Sequence, residues 1–234
     1  MKDEELQLTD EELQFTDERL QLKEEGVQIL LAAVRERCRV LGPGERFCVW
    51  VQGCPFSCPG CIAPSMHDLD GGYLMAAEKL AEQILGTEGI EGITISGGEP
   101  FLQAGELASL LELIKAKKDL GVIVYTGFYY EKLLELSRVH PEMGRLLALT
   151  DLLIDGPYEE AHNLDYGMKG SVNQRTILLT DRYKDEFYLY NDPGTGRKNE
   201  LYQSDSQAFL AGVPSRKMEK QWKKMIRESG KKKG

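Results

Sequence analysis

The sequence predicts an α/β fold built on a mostly parallel sheet of about five to six strands. Short apolar runs alternate with longer stretches of helical spacing. The apolar runs end in glycine or Asp-Gly-Pro signals, which mark strand ends and turns. The residues with distinctive chemistry all fall just after such run ends, where ligands sit in open parallel sheets.

The elements follow in order. Val27 to Val34 is apolar and reads as a strand. Phe47 to Gln52 is a second, running straight into a cysteine-rich loop. Tyr73 to Leu85 has helical spacing through Leu74, Ala77, Leu80, Ala81 and Ile84. Gly92 to Ser96 is a strand stopped by Gly97-Gly98. Leu107 to Lys118 is an amphipathic helix with Leu107, Leu110, Leu111 and Ile114 on one face. Val122 to Tyr125 is a buried-type strand stopped by Thr126-Gly127. Tyr130 to Leu136 reads as helix, and Leu152 to Ile154 as a strand stopped by Asp155-Gly156-Pro157. Ile177 to Leu179 and Phe187 to Tyr190 are further strand candidates, and Arg216 to Arg227 is a helix candidate.

The ends differ from this body. Residues 1–25 carry ten acids, three bases and a seven-residue repeat. Its apolar residues (Leu6 and Leu8, Leu13 and Phe15, Leu20 and Leu22) are two apart, which does not suit a coiled coil. The segment reads as an acidic appendage, 26–214 as the catalytic domain, and 215–234 as a basic helix or tail with nine bases and two acids. The bland reading of both ends is solvated charge; the sharper one is a docking surface for a protein.

Bulk properties exclude several classes. A net charge of −9 argues against wholesale nucleic-acid binding. No apolar run approaches the roughly 20 residues of a membrane span, and no signal-peptide pattern opens the chain. The expectation is a cytoplasmic protein with no membrane or nucleic-acid partner. Five cysteines then read as thiols or metal ligands, not a disulfide framework.

Cys54, Cys58 and Cys61 carry the strongest signal, in the run Gln-Gly-Cys-Pro-Phe-Ser-Cys-Pro-Gly-Cys. The spacing C-x3-C-x2-C offers three soft thiolates and no fourth. Three thiolates hold three irons of a [4Fe–4S] cube and leave the fourth open to a small molecule. Electron-carrying clusters close with four cysteines and structural zinc takes four ligands. The alternative is a zinc knuckle completed by a remote residue such as His67. Cys38 and Cys48 fall outside the spacing and read as buried, inert thiols.

The second motif is Gly97-Gly98-Glu99-Pro100. Paired glycines let a ligand approach the backbone, Glu99 offers a carboxylate to an ammonium group, and Pro100 starts the next helix. With the cysteine loop, this set resembles the radical S-adenosylmethionine superfamily. More narrowly, the chain resembles the activating enzyme of anaerobic ribonucleotide reductase and related glycyl-radical activases. Gly42-Pro43-Gly44-Glu45-Arg46, Val124 to Gly127, Leu153 to Tyr158 and Gly170-Ser171-Val172-Asn173-Gln174-Arg175 resemble further family segments. The resemblance runs from about Val27 to about Pro214 and leaves both ends uncovered.

The resemblance implies a partial (βα)-barrel, a [4Fe–4S] cluster on Cys54, Cys58 and Cys61, and S-adenosylmethionine as second cofactor. It implies cofactor contacts for Gly97, Gly98, Glu99, Pro100, Thr126, Asp155 and Asn173. It implies reductive cleavage to a 5′-deoxyadenosyl radical, a glycyl-radical enzyme as partner, and a flavodoxin- or ferredoxin-type electron donor. Asp155 has a plain turn-forming alternative, and Asn173, Gln174 and Arg175 have a loop-capping one. Arg46 is expected to face the cluster or a partner. Two rival functions stand beside the activase: radical modification of a peptide or small molecule, and a non-catalytic iron–sulfur or zinc module.

Overall fold

The computed structural model describes residues 26–163, 165–203 and 208–231 of the 234-residue chain. The acidic repeat lies outside the described residues. The elements are β1 (Gln28–Cys38), β2 (Arg46–Val51), β3 (Tyr73–Ala76), α1 (Ala77–Gly86), β4 (Gly92–Gly97), α2 (Ala104–Lys115) and β5 (Gly121–Tyr125). They continue with α3 (Tyr130–Leu136), α4 (Pro141–Leu149), β6 (Leu152–Asp155), β7 (Arg175–Leu178), a short α5 (Tyr188–Asn191), β8 (Asn199–Gln203), β9 (Ala208–Gly212) and α6 (Arg216–Lys231).

The α/β class expected from the sequence is present. The central sheet has seven strands in the order β3-β1-β2-β4-β5-β6-β7. β2, β4, β5 and β6 run parallel. β1, β3 and β7 add antiparallel pairings at the two sides. β8 and β9 form a separate antiparallel pair.

Period-two alternation explains the layering. Along β2, Phe47, Val49 and Val51 join one core cluster, while Cys48 and Trp50 join another on the opposite face. The first cluster packs the sheet against α1, α2, α3 and α4 through Leu80, Ile84, Leu107, Leu111, Leu133 and Leu146. The opposite face is covered by the later, less regular part of the chain, through Tyr183, Tyr190 and Ala211. Strands buried on both faces lose the polar alternation of an exposed sheet, and all six residues of β2 are buried.

Several expectations are corrected. Tyr73–Ala76 is an edge strand paired with β1, not the first turn of the helix. Its apolar residues continue the helical spacing of α1, so periodicity alone merges the two. Phe187 to Tyr190 is not a strand: Tyr188–Asn191 is one helical turn that buries Tyr190 against Ile123, Leu152 and Ile154. The sheet has seven strands instead of five to six. The helix α4 and the β8–β9 pair were not anticipated.

Arg46 is also corrected. Its side chain is fully buried at the start of β2, the end of the strand away from the cysteine loop. Its guanidinium donates to Thr94 Oγ1 (2.6 Å), Tyr183 OH (2.9 Å), and the carbonyls of Ile93 (2.6 Å) and Gly121 (2.9 Å). It ties β2, β4 and β5 together and faces no solvent. Arginine suits this because its planar fork satisfies several acceptors at once.

Candidate active site at the strand ends

The parallel ladder brings the predicted motifs to one end of the sheet. Val51 is opposite Gly97 across β2 and β4. Beyond that pair the two chains stay zipped: Gly98 N donates to Val51 O (2.8 Å) and Glu99 N to Gly53 O (2.8 Å). A Cβ at Gly98 would stand 2.1 Å from Gly53 O. The second glycine is thus demanded by the chain's own backbone crossing, in addition to any approach of a ligand.

The cysteine loop is closed at its base. Gly53 N and Cys54 N donate to the carbonyls of Met66 (3.0 Å) and His67 (3.2 Å). Gln52 Nε2 donates to Ser65 O (3.0 Å) and Asp68 O (2.7 Å). Cys61 N returns to Cys58 O (3.1 Å), making the last turn. Gly60 has φ +78°, and a Cβ there would meet the Glu160 carboxylate, with 2.6 Å to Cδ. The positive φ favours glycine at that position, while the Glu160 side chain can move aside.

A cavity of about 420 Å³ opens over these loops. Cys54, Cys58 and Cys61 line it, together with Gly97, Gly98, Glu99 and Thr126. Pro100, Asp155 and Asn173 do not line it. Pro100 is buried at the start of a short 3₁₀ turn, Pro100–Gln103.

The carboxylates point into the protein. Glu99 is fully buried. Its Oε1 accepts from Phe101 N (2.9 Å) and Thr126 Oγ1 (2.8 Å), and its Oε2 from Gly127 N (2.8 Å). It latches the end of β4 to the end of β5. Burial pushes its pKa up to about 7, against the pull of those donors. Asp155 forms a second latch, between β6 and α3. Its Oδ2 accepts from Tyr130 N (2.7 Å) at the helix start and from Arg175 Nη2, and its Oδ1 from Arg175 Nε (3.0 Å). Arg175 also grips Glu131 with two bonds (2.9 and 2.6 Å). Asn173 Nδ2 donates to Pro157 O (2.7 Å), and its buried Oδ1 has no partner. Gly170 and Gln174 of that segment reach the cavity wall. Gln174 Oε1 accepts from Gly170 N (2.7 Å) and its Nε2 donates to Gly156 O (2.9 Å).

The three thiols fit an iron–sulfur group by donor chemistry. All are half-buried, and thiolates are the ligands such clusters use. Burial raises the thiol pKa of both Cys54 and Cys61, and the neighbouring Cys58 raises each further.

Sequence comparison decides the family. A family model described as "4Fe-4S single cluster domain" matches residues 40–177. The chain belongs to this 4Fe-4S single-cluster family. The anaerobic ribonucleoside-triphosphate reductase-activating protein of Enterobacteria phage T4 is 30% identical over 147 residues, covering 61% of this chain and 89% of that protein. The protein of the same name from Vibrio cholerae is 29% identical over 144 residues, covering 58% of this chain and 88% of its own length. A pyruvate formate-lyase-activating enzyme of Listeria monocytogenes is 30% identical over 118 residues, covering 48% of this chain and 46% of the enzyme. The resemblance read from the motifs is borne out.

The family match stops before β8, β9 and α6, yet β9 and α6 reach the cavity. Phe209 and Leu210 of β9 and Glu219 and Trp222 of α6 line it. Sequence reasoning missed them. The only available signal was Glu219 and Trp222, three apart within a run of lysines, which marks one inward face on a basic helix.

Proposed function

We propose that this protein is a radical S-adenosylmethionine activase that generates a glycyl radical in a partner enzyme, with anaerobic ribonucleotide reductase as the leading partner. The observation that carries the proposal is the convergence of Cys54, Cys58, Cys61, Gly97, Gly98 and Thr126 on one cavity at the strand ends. The family match and the names of the relatives support the same reading.

The three cysteines would hold the cluster and leave one iron corner open. When bound, the cluster supplies the electron that cleaves S-adenosylmethionine to methionine and a 5′-deoxyadenosyl radical. The protein's own part is positional. The backbone of Gly97 and Gly98 offers polar groups to the methionine end of the cofactor. Glu99 and Thr126 keep the two strand ends at fixed separation. Asp155 and Arg175 hold the third strand end from behind, and the unpartnered Asn173 Oδ1 is an acceptor held in reserve near it. Apolar walls keep quenchers away from the radical.

The finer features follow from this reading. The sheet acts as a partial barrel whose unclosed side admits a protein segment. Domain 26–214 is the catalytic body, and a flavodoxin- or ferredoxin-type protein of the cytoplasm delivers the electron. Among the described residues no helix is long and apolar enough to cross a membrane. The test is anaerobic incubation of the reconstituted protein with reductant, S-adenosylmethionine and an anaerobic ribonucleotide reductase from the same source. A glycyl doublet by electron paramagnetic resonance is the expected result. Cofactor cleavage without that doublet in any glycyl-radical enzyme of the source overturns the activase role.

A further inference from the structure

The C-terminal helix is outside the family match and reads in sequence as a solvated basic tail. In the structure it is built into the cavity. Glu219 and Trp222 are 6% and 7% exposed and both line the wall that contains the cysteines. Lys223 Nζ donates to Gly60 O (3.4 Å), the carbonyl next to Cys61, and to Glu219 Oε1 (2.5 Å). The Lys223–Glu219 pair is largely sheltered on the acid side, with 8% of the Glu219 side chain exposed.

The start of the helix is anchored separately. Arg216 Nη2 donates to Asn163 O (2.6 Å). Just before the helix, Pro214 O accepts from Arg197 Nη1 (2.6 Å), whose Nη2 reaches Lys169 O (2.7 Å) and Gly170 O (3.1 Å). Arg197 thereby joins the helix start to the glycine-serine loop of the cavity wall. Lys217 and Lys220 remain on the exposed outer face. Trp222 thus turns inward while these lysines turn outward.

We propose that α6 is a wall of the cofactor site, with Trp222 and Lys223 as positioning residues that hold the cysteine loop in place and give the nucleoside moiety of S-adenosylmethionine an apolar surface. The inference rests on the activase reading for the identity of the cofactor. It deepens that reading by assigning residues beyond the family match. Glu219 acts through Lys223, by fixing the ammonium beside the Gly60 carbonyl. A tryptophan suits the wall because its large ring packs against a base or a sulfonium cation.

The test compares the reconstituted full-length holoprotein with Trp222→Ala, Trp222→Phe and Lys223→Ala, and with a chain ending at Ser215. Two quantities are read: the rate at which a ferrous chelator strips the iron, and the dissociation constant for S-adenosylmethionine. The three cysteines are intact in all variants, so iron content after reconstitution is expected to match wild type. Stripping is expected to accelerate, and S-adenosylmethionine binding to weaken, each by about five-fold or more in both alanine variants. Trp222→Phe is expected to recover most of the binding. If the truncated chain fails to fold, the point variants still decide. Unchanged stripping and unchanged affinity in both alanine variants overturn the proposal and leave the activase reading standing. A wild-type holoprotein that does not bind S-adenosylmethionine overturns the activase reading itself.

Discussion

Replacing Glu99 with glutamine tests the electrostatic heart of the strand-end arrangement. The wild-type carboxylate is fully buried, with a folded pKa raised from 4.5 to about 7. An acid with a raised folded pKa binds more protons folded than unfolded between those two values. Its contribution is therefore fully present below about pH 4.5, declines as pH rises, and is gone above about pH 7. At about 1.36 kcal/mol per pKa unit, the span corresponds to roughly 3 kcal/mol lost from acid to neutral pH. Glu99→Gln does not titrate, so it lacks this slope. The amide also cannot accept at both ends, which leaves either Gly127 N or the Phe101–Thr126 side without its partner. One such orphaned group costs about 1–3 kcal/mol. The assay is urea unfolding of the metal-free chain at several pH values, wild type against variant. The stability gap is expected to be largest near pH 5 and to shrink toward pH 8 as the wild type loses its protonated advantage. A gap that is constant with pH, or that widens as pH rises, refutes the reasoning.

Three further outcomes follow from contacts at the same strands. Arg46→Leu removes the donors to Thr94 Oγ1, Tyr183 OH and two backbone carbonyls in a fully buried site, and thermal unfolding should show a loss above about 3 kcal/mol. Gly98→Ala drives a Cβ to 2.1 Å from Gly53 O, so the loops must separate; cluster incorporation, followed by visible absorbance, should fall sharply. Asp155→Asn weakens the Arg175 and Tyr130 latch and should lower the melting temperature while leaving the S-adenosylmethionine dissociation constant within about two-fold. A large loss of affinity there would return Asp155 to direct cofactor contact.

Much of this site is legible in the sequence because its signals are local. The cysteine spacing, the Gly-Gly-Glu-Pro run and Thr126-Gly127 each follow a strand that apolar content alone reveals, and parallel pairing brings strand ends together. The direction of the carboxylates is not legible. Glu99 and Asp155 look like ligand groups in a linear reading, but each faces backbone donors supplied by the next strand end or helix. Tyr73–Ala76 is hidden because an edge strand and a following helix share one apolar spacing. Arg46 was read outward because nothing nearby in sequence announces Thr94 and Tyr183 as partners. The tail misleads for a related reason: its lysine content describes the outer face of α6, while Glu219 and Trp222 describe the inner one.

The central claim is that three thiolates leave an iron corner free for S-adenosylmethionine. Electron–nuclear double resonance on the reduced, reconstituted protein with ¹⁵N-amino-labelled S-adenosylmethionine tests it most directly. A ¹⁵N coupling to the cluster, present with the labelled cofactor and absent with the unlabelled one, is the predicted result. A cluster whose four irons are all bound by protein side chains, with no coupling from the labelled cofactor, contradicts the account.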